Sequence, residues 1–307
     1  MVSKFLSNVW DLCTKRSIKW QVNGNTWVVI TGSTDGIGLE YAKQFARKGY
    51  NLLLMSRSAA KLAKVSHEIQ SMHPKCRIRG LAVDFSRADI YDTIAEELTS
   101  LGEIDVLVNN VGITYPNECP EYFTQIPNLK QFIDTMINVN VISCTRLMAL
   151  VIPGMESRAR GVIINVSSFT ANFPTPLLAL YSATKVYIDY LSRALNEEYK
   201  SKGIIIQSVL PFYVSTKMTK YIKTSLFIPT PEQYVRSALK TVALESQTAG
   251  TFGHKLITNG QRICSYLFGV NFLIKLALIH FQEIRRRFYA NEDMTQFNYK
   301  LFLPTKP

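Results

Sequence analysis

A short apolar run at residues 27–30 leads straight into Thr31-Gly32-Ser33-Thr34-Asp35-Gly36-Ile37-Gly38, and a helical pattern follows over residues 39–48. Strand, glycine-rich turn and helix in that order constrain the chain more than any other feature in it. Glycines let backbone N–H groups approach an anion, and a helix start adds partial positive charge. The unit is a cradle for a cofactor diphosphate, and its place at the head of a βα alternation supports that reading.

The alternation continues. Apolar runs at 51–55, 78–83, 104–108, 162–166 and 204–210 read as strands, and helical spacing recurs at 59–72, 89–101, 130–157 and 180–201. An amphipathic stretch at 231–244 precedes a seventh, edge strand expected at 252–257. This pattern predicts an α/β fold: a doubly wound, Rossmann-type parallel sheet of about seven strands with helices on both faces and right-handed crossovers. Residues 113–129, with Pro116, Pro120 and Pro127, read as a loop, and 212–229 as irregular. The chain has 307 residues, 47% hydrophobic and 19% charged, which suits one sizeable core. No repeat or Pro/Ser-rich linker divides it. The expected organisation is an extension at 1–25, a dinucleotide-binding catalytic domain at 26–258 and an apolar, basic extension at 259–307.

The second strand ends at Ser56-Arg57, and no Asp or Glu occurs between Asn51 and Ala60. An acid there would hold a ribose 2′-hydroxyl, whereas Arg57 accommodates a 2′-phosphate, so NADP(H) is expected over NAD(H). Asp84, closing the third strand, can meet the adenine amino group. Asn109-Asn110-Val111-Gly112, after the fourth, either lines the cleft or is an ordinary βα loop. Tyr181 and Lys185 stand four apart, on one face of a helix. An ammonium one turn away favours phenolate, which makes the pair a proton donor and acceptor near working pH. Alone, such a pair usually marks a solvated helix edge. Asn140 and Ser168 lie upstream, Ser168 13 residues before Tyr181.

Taken in order, Thr31-Gly32-x-x-x-Gly36-Ile37-Gly38, Asp84, Asn109-Asn110-x-Gly112, Asn140, Ser168 and Tyr181-x-x-x-Lys185 resemble the short-chain dehydrogenase/reductase superfamily over residues 26–258. More narrowly, Pro153-Gly154-Met155, Ser192-Arg193-Ala194-Leu195, Glu197-Glu198-Tyr199 and the run from Pro211 to Met218 are similar to the 17β-hydroxysteroid dehydrogenase type 3 and type 12 group, the latter also called very-long-chain 3-oxoacyl-CoA reductase, with hydroxysteroid dehydrogenase-like proteins as neighbours. The resemblance implies an NADPH-dependent ketone reductase acting on a small lipophilic substrate, a 17-ketosteroid or a long-chain 3-oxoacyl-CoA. It implies that Tyr181 protonates the developing alkoxide, Ser168 hydrogen-bonds the same oxygen, Lys185 lowers the phenol pKa and bonds the nicotinamide ribose, and Asn140 positions a relay water. It further implies cofactor contacts from Gly32, Ser33, Asp35, Gly36, Ile37, Gly38, Arg57, Asp84, Asn110, Tyr181, Lys185, Pro211, Val214 and Thr216. Phe212 replaces the family's usual glycine and shapes the pocket. The alternative is a catalytically weak dehydrogenase-like protein acting as a binding or regulatory partner; some relatives have lost the tyrosine, and its retention here as Tyr181 favours an enzyme. An endoplasmic reticulum membrane association on the cytosolic face and a homodimer are also implied.

The net charge of +12 suits anionic partners such as cofactor phosphates or a membrane surface. The basic residues are spread out except at Arg285-Arg286-Arg287, and no aromatic-interleaved basic stripe appears, so nucleic acid is not an expected partner. Five scattered cysteines, without CxxC or histidines at ligand spacing, predict free thiols and no metal site. Residues 1–26 are too interrupted to span a bilayer, but Val2, Phe5, Leu6, Val9 and Cys13 fall at helical spacing. An apolar run at 264–281 precedes the arginines, and Asn271, Lys275, Gln282 and Arg286 share one side of it. Either this helix lies in a bilayer interface, or it packs on the domain or a second subunit and covers the substrate mouth.

Overall fold

Side chains alternate across a strand, so a strand buried on both faces carries apolar residues throughout. In the computed structural model, which describes residues 18–290, Val28 and Ile30 enter one hydrophobic core and Val29 enters another. All three are fully buried. They belong to β1 (Thr26–Thr31), which pairs in parallel with β2 (Asn51–Ser56) on one side and β4 (Glu103–Asn109) on the other. With β3 (Ile78–Ala82), β5 (Gly161–Val166), β6 (Ile204–Val209) and β7 (Gln247–Thr248), the sheet has seven parallel strands in the order β3-β2-β1-β4-β5-β6-β7. The order reverses between β1 and β4, which opens a crevice at the carboxyl ends of the strands.

Three helices cover the face of Val28 and Ile30: α1 (Gly36–Arg47), α2 (Ala59–Met72) and the later Pro231–Ala238. The other face is covered by α3 (Tyr91–Thr99), the helix Ser143–Ser157 and the helix Ala179–Tyr199. The long apolar stretch at 130–157 is not one regular helix. It comprises α4 (Leu129–Ile137), a π-helical turn (Asn138–Ile142) and α5 (Ser143–Ser157). After it, the remaining helices are α6 (Ala179–Tyr199), α7 (Pro231–Ala238), α8 (Phe252–Phe268) and α9 (Val270–Tyr289).

Two expectations change at the C-terminal end. Residues 252–257 are helical, not an edge strand: Thr251 caps them, its Oγ1 accepting from His254 N at 3.4 Å. The edge is supplied by Gln247–Thr248 instead, and α8 runs through residue 258, where a domain boundary was expected. The run at 264–281 is broken at Gly269, whose φ of +80° turns the chain from α8 into α9. Helix α9 folds back over the domain and buries Ala277, Phe281 and Ile284 against Leu177 and Phe173. Its far end is held to the proline-bearing loop at 113–129. There Glu121 accepts from Arg285 Nε at 2.5 Å and from the Tyr289 hydroxyl at 2.6 Å. At the other end of the chain, Trp20 packs edge-on against Phe45 and Tyr50, and the helical spacing at 2–13 lies outside the described residues. Cys76, Cys119 and Cys144 are buried free thiols.

Candidate active site

Residues that follow six of the seven strands line a single cleft of 720 Å³. Its glycine turn is held across the switch point. Thr31 Oγ1 accepts from Asn110 N and Val111 N, each at 3.0 Å, while Asn110 Nδ2 donates to the carbonyls of Thr31 and Gly32 at 3.0 and 3.1 Å. A Cβ at Gly38 would stand 2.3 Å from the Gly32 carbonyl oxygen, so the turn and the start of α1 touch. Gly32, Asp35, Gly36 and Ile37 line the cleft, and Asp35 caps α1 by accepting from Gly36 N at 2.7 Å.

Two expected contacts are placed differently. Ser33 is fully buried, and both its N–H and its hydroxyl donate to the Met55 carbonyl at 3.3 Å. It ties the turn to β2 and does not line the cleft. Gly38 also lies off the lining and acts through its contact with Gly32.

At the end of β2, Arg57 lines the cleft together with Lys61, a residue the sequence reading missed. The Ser58 hydroxyl caps α2 by accepting from Lys61 N at 3.3 Å, which brings two cations to one helix start. Burial acts to raise the Asp84 carboxyl, but hydrogen bonds from Ser86 and the nearby Arg57 and Arg87 charges hold it below its ordinary value. A glycine turn, two cations without an acid at the strand end and a carboxylate beyond them fit a dinucleotide that carries a 2′-phosphate.

Tyr181 and Lys185 project from α6, Ser168 follows β5, and all three line the same cleft. Lys185 is buried, and the end of β5 holds it from two directions. Its Nζ donates to the Val166 carbonyl at 3.0 Å, and the Ser167 hydroxyl donates to the Lys185 carbonyl at 2.6 Å. Burial lowers the ammonium pKa to about 8. The expected lowering of the phenol is not found. Burial raises the Tyr181 pKa, and a hydrogen bond with Ser168 only partly offsets it. The reason is geometric: the ammonium is spent on the Val166 carbonyl and stands 5.7 Å from the centre of the Tyr181 ring. Ser168 Oγ also accepts from Thr170 N at 3.2 Å and Thr170 Oγ1 at 3.0 Å.

Asn140 sits inside the π-helical turn. Its Oδ1 accepts from Ile113 N at 2.8 Å, and its Nδ2 reaches the Ile113 carbonyl and Thr184 Oγ1, both at 3.0 Å. A Cβ at Gly112 would lie 3.2 Å from Lys185 Nζ and 3.5 Å from Asn140 Oδ1, so this glycine leaves the two facing each other. The insertion of one π turn re-aims a helix, and such turns gather at functional sites.

Pro211, Val214 and Thr216 line the cleft after β6, with the Thr216 methyl against Gly36. Phe212 packs edge-on against Phe169, with centroids 4.9 Å apart. Lys217, Lys220, Glu118, His280, Phe281 and Ile284 also line it; none was named individually from the sequence, although the apolar run at 264–281 was expected either in a bilayer interface or packed over the substrate mouth. The last three belong to α9, so that helix forms part of the mouth.

A doubly wound sheet with a glycine turn at its switch point defines an α/β oxidoreductase of the dinucleotide-binding type. The chain belongs to the short-chain dehydrogenase/reductase family: residues 26–226 match the family model described as short chain dehydrogenase. It is 52% identical over 231 residues to very-long-chain 3-oxoacyl-CoA reductase-A of Danio rerio, covering 75% of this chain and 71% of that one. It is 49% identical over 231 residues to very-long-chain 3-oxoacyl-CoA reductase of Homo sapiens, covering 75% and 73%. Among solved structures it is similar to a short-chain dehydrogenase from Sphingobium yanoikuyae in complex with NADPH, with 26% identity, a TM-score of 0.66, and coverage of 79% of this chain and 96% of that one.

Proposed function

We propose that the protein uses NADPH to reduce the ketone of a long-chain 3-oxoacyl-CoA. The observation that carries this reading is the convergence of Ser168, Tyr181 and Lys185 on the cleft that also holds the glycine turn and Arg57. Bound NADPH supplies the hydride. Tyr181, kept protonated by burial, gives its proton to the ketone oxygen as charge develops there. Ser168 donates a hydrogen bond to that oxygen and fixes its position. Lys185, at about 8, stays largely charged at neutral pH and is a proton source from which the phenol can be reloaded. Asn140 holds the loop after β4 at Ile113, whose neighbour Gly112 lies beside Lys185. The names of the relatives support the acyl-CoA substrate. A 17-ketosteroid is the second reading, favoured by Phe281 and Ile284 over the mouth.

The test is NADPH oxidation by the purified full-length chain with a long-chain 3-oxoacyl-CoA, estrone and androstenedione. Tyr181→Phe should cost about a thousandfold in turnover and leave NADPH affinity intact. No turnover on any of the three, with NADPH still bound, would overturn the reading.

We also propose that the protein associates with the endoplasmic reticulum membrane. Ile263, Tyr266, Leu267, Phe268 and Val270 are exposed around the Gly269 elbow, a cluster suited to a bilayer interface. Among the described residues, the one helical stretch long and apolar enough to cross a membrane is Leu129–Ser157, and half of its most apolar window is buried in the domain. Cosedimentation with anionic vesicles that survives Phe268→Glu would exclude the elbow.

A further inference from the structure

The segment after β6 carries three lysines, Lys217, Lys220 and Lys223, and the proposed reaction uses none of them. Lys217 and Lys220 both line the cleft, and neither is ion-paired to a carboxylate among the described residues. Their positions are built into the backbone. Lys220 and Tyr221 both adopt left-handed conformations, with φ of +51° and +52°, which side-chain-bearing residues avoid. Tyr221 N donates to the Thr216 carbonyl at 2.9 Å, Lys220 N to the Lys217 carbonyl at 2.9 Å, and the Thr219 hydroxyl to the Val214 carbonyl at 2.6 Å. Lys220 thus closes the helical turn at 217–219 in the left-handed conformation, and these bonds fix where its side chain leaves the backbone.

The surroundings of Lys220 say which end of a ligand it meets. Its Nζ stands 5.1 Å from the centre of the Phe288 ring. Phe288 lies one helical turn, about 6 Å, beyond Ile284 on α9. Ile284 and Phe281 face the cleft and pack on Leu177. The mouth therefore passes from apolar wall to cationic rim within one turn. That gradient suits an amphiphile with its apolar body beneath α9 and an anion at the rim. A second cationic pair, Arg57 and Lys61, follows β2 at the cofactor end, whereas Lys220 stands against α9 at the mouth. A neutral ketosteroid brings no anion to this rim; an acyl-CoA brings nucleotide phosphates.

We propose that Lys217 and Lys220 hold the nucleotide phosphates of the coenzyme A arm of the substrate. This rests on the acyl-CoA reading above and adds the residues that select for the carrier. Charged contacts at an open rim are individually modest and are screened by salt.

The experiment uses the full chain with NADP(H) bound and the double variant Lys217→Gln/Lys220→Gln. Calorimetric titration with coenzyme A alone reads the rim, and kinetics compare a 3-oxoacyl-CoA with its N-acetylcysteamine thioester, which carries the same ketone without the nucleotide. The variant should lose about tenfold in coenzyme A affinity and in kcat/KM for the CoA ester. The truncated ester and the NADPH dissociation constant should not change, and added salt should shrink the wild-type preference for the CoA ester. Equal losses on both esters, a matching loss in NADPH affinity or no change at all would each overturn the proposal. If the wild type reduces ketosteroids but no thioester, the acyl-CoA reading fails. The coenzyme A titration then decides the lysines alone: binding that the variant weakens supports an anion subsite, and absence of binding overturns it.

Discussion

Lys185→Met should stabilise the protein while destroying its activity. The ammonium is held in a buried site that lowers its pKa from the ordinary 10.5 to about 8. At pH 7 that gap corresponds to roughly 3 kcal/mol of strain against the charged form in the folded state. The sign follows from proton counts. Between about 8 and 10.5 the unfolded chain binds more protons than the folded one, so stability rises with pH across that window, and below it the full cost stands. Methionine has nearly the same length and carries no charge. It gives up the donation to the Val166 carbonyl, a loss of about 1 kcal/mol. The expected net gain is about 2 kcal/mol at pH 7, or about 3 °C in Tm for a chain of this size. The gain should shrink to about zero by pH 10, where Lys185 is neutral in nearly all folded molecules and in about a quarter of unfolded ones. Thermal and urea unfolding of both proteins at pH 7, 9 and 10 measure it. A variant less stable than wild type at pH 7, or a gain that does not change with pH, would refute the claim that burial of this ammonium dominates its energetics.

Two further outcomes follow from the cleft and its cover. Arg57→Ala/Lys61→Ala should weaken NADPH binding by about tenfold or more and leave NADH binding unchanged, as read by nicotinamide fluorescence titration. Glu121→Gln should loosen α9. Burial acts to raise the Glu121 carboxyl, but Arg285, Tyr289 and the Tyr122 N–H hold it below its ordinary value. Its contribution is therefore full above the ordinary carboxylate value and fades as pH falls through the lowered one. Amide exchange along α9 should quicken by about tenfold in the variant at pH 7, with the difference from wild type closing in acid.

Placement at the cleft was readable from the sequence wherever one short segment carries the whole feature. The turn from Thr31 to Gly38, the strand ends at Arg57 and Asp84 and the Tyr181–Lys185 helix each declare themselves within a few residues. What escaped depends on geometry that periodicity does not encode. A π turn keeps the same residue types as an α-helix, so the stretch around Asn140 reads as unbroken. The run at 252–257 is apolar enough for a strand, and only the Thr251 cap decides for a helix. Lys61 carried a usable signal, standing one turn after Arg57 behind the Ser58 cap. The residues of α9 carried only the signal of their segment, an apolar run that could cover the mouth: His280, Phe281 and Ile284 reach the cleft because Gly269 turns the chain back on itself. Ser33 failed in the opposite sense. Its place in a phosphate-binding turn suggests a contact, but a buried hydroxyl takes the nearest carbonyl, here that of Met55.

The titration states also bear on the proposed direction of reaction. A dehydrogenase working from alcohol to ketone needs a base at the hydroxyl; a reductase needs an acid at the ketone. Burial leaves Tyr181 protonated at neutral pH, and the protein alone does not lower it. The same burial makes Lys185 a readier proton source than an exposed lysine, because its ammonium gives up its proton near pH 8. One cause therefore acts on the two groups in opposite senses: burial keeps the proton on the Tyr181 phenol and loosens the proton of the Lys185 ammonium, so the phenol is loaded at rest and the lysine can resupply it. Helix α9 belongs to this argument, since Phe281 and Ile284 keep the mouth apolar and Arg285 clamps the helix through Glu121. The cover that seats a lipophilic chain also limits water at the phenol, and so helps keep the acid in the form that ketone reduction requires.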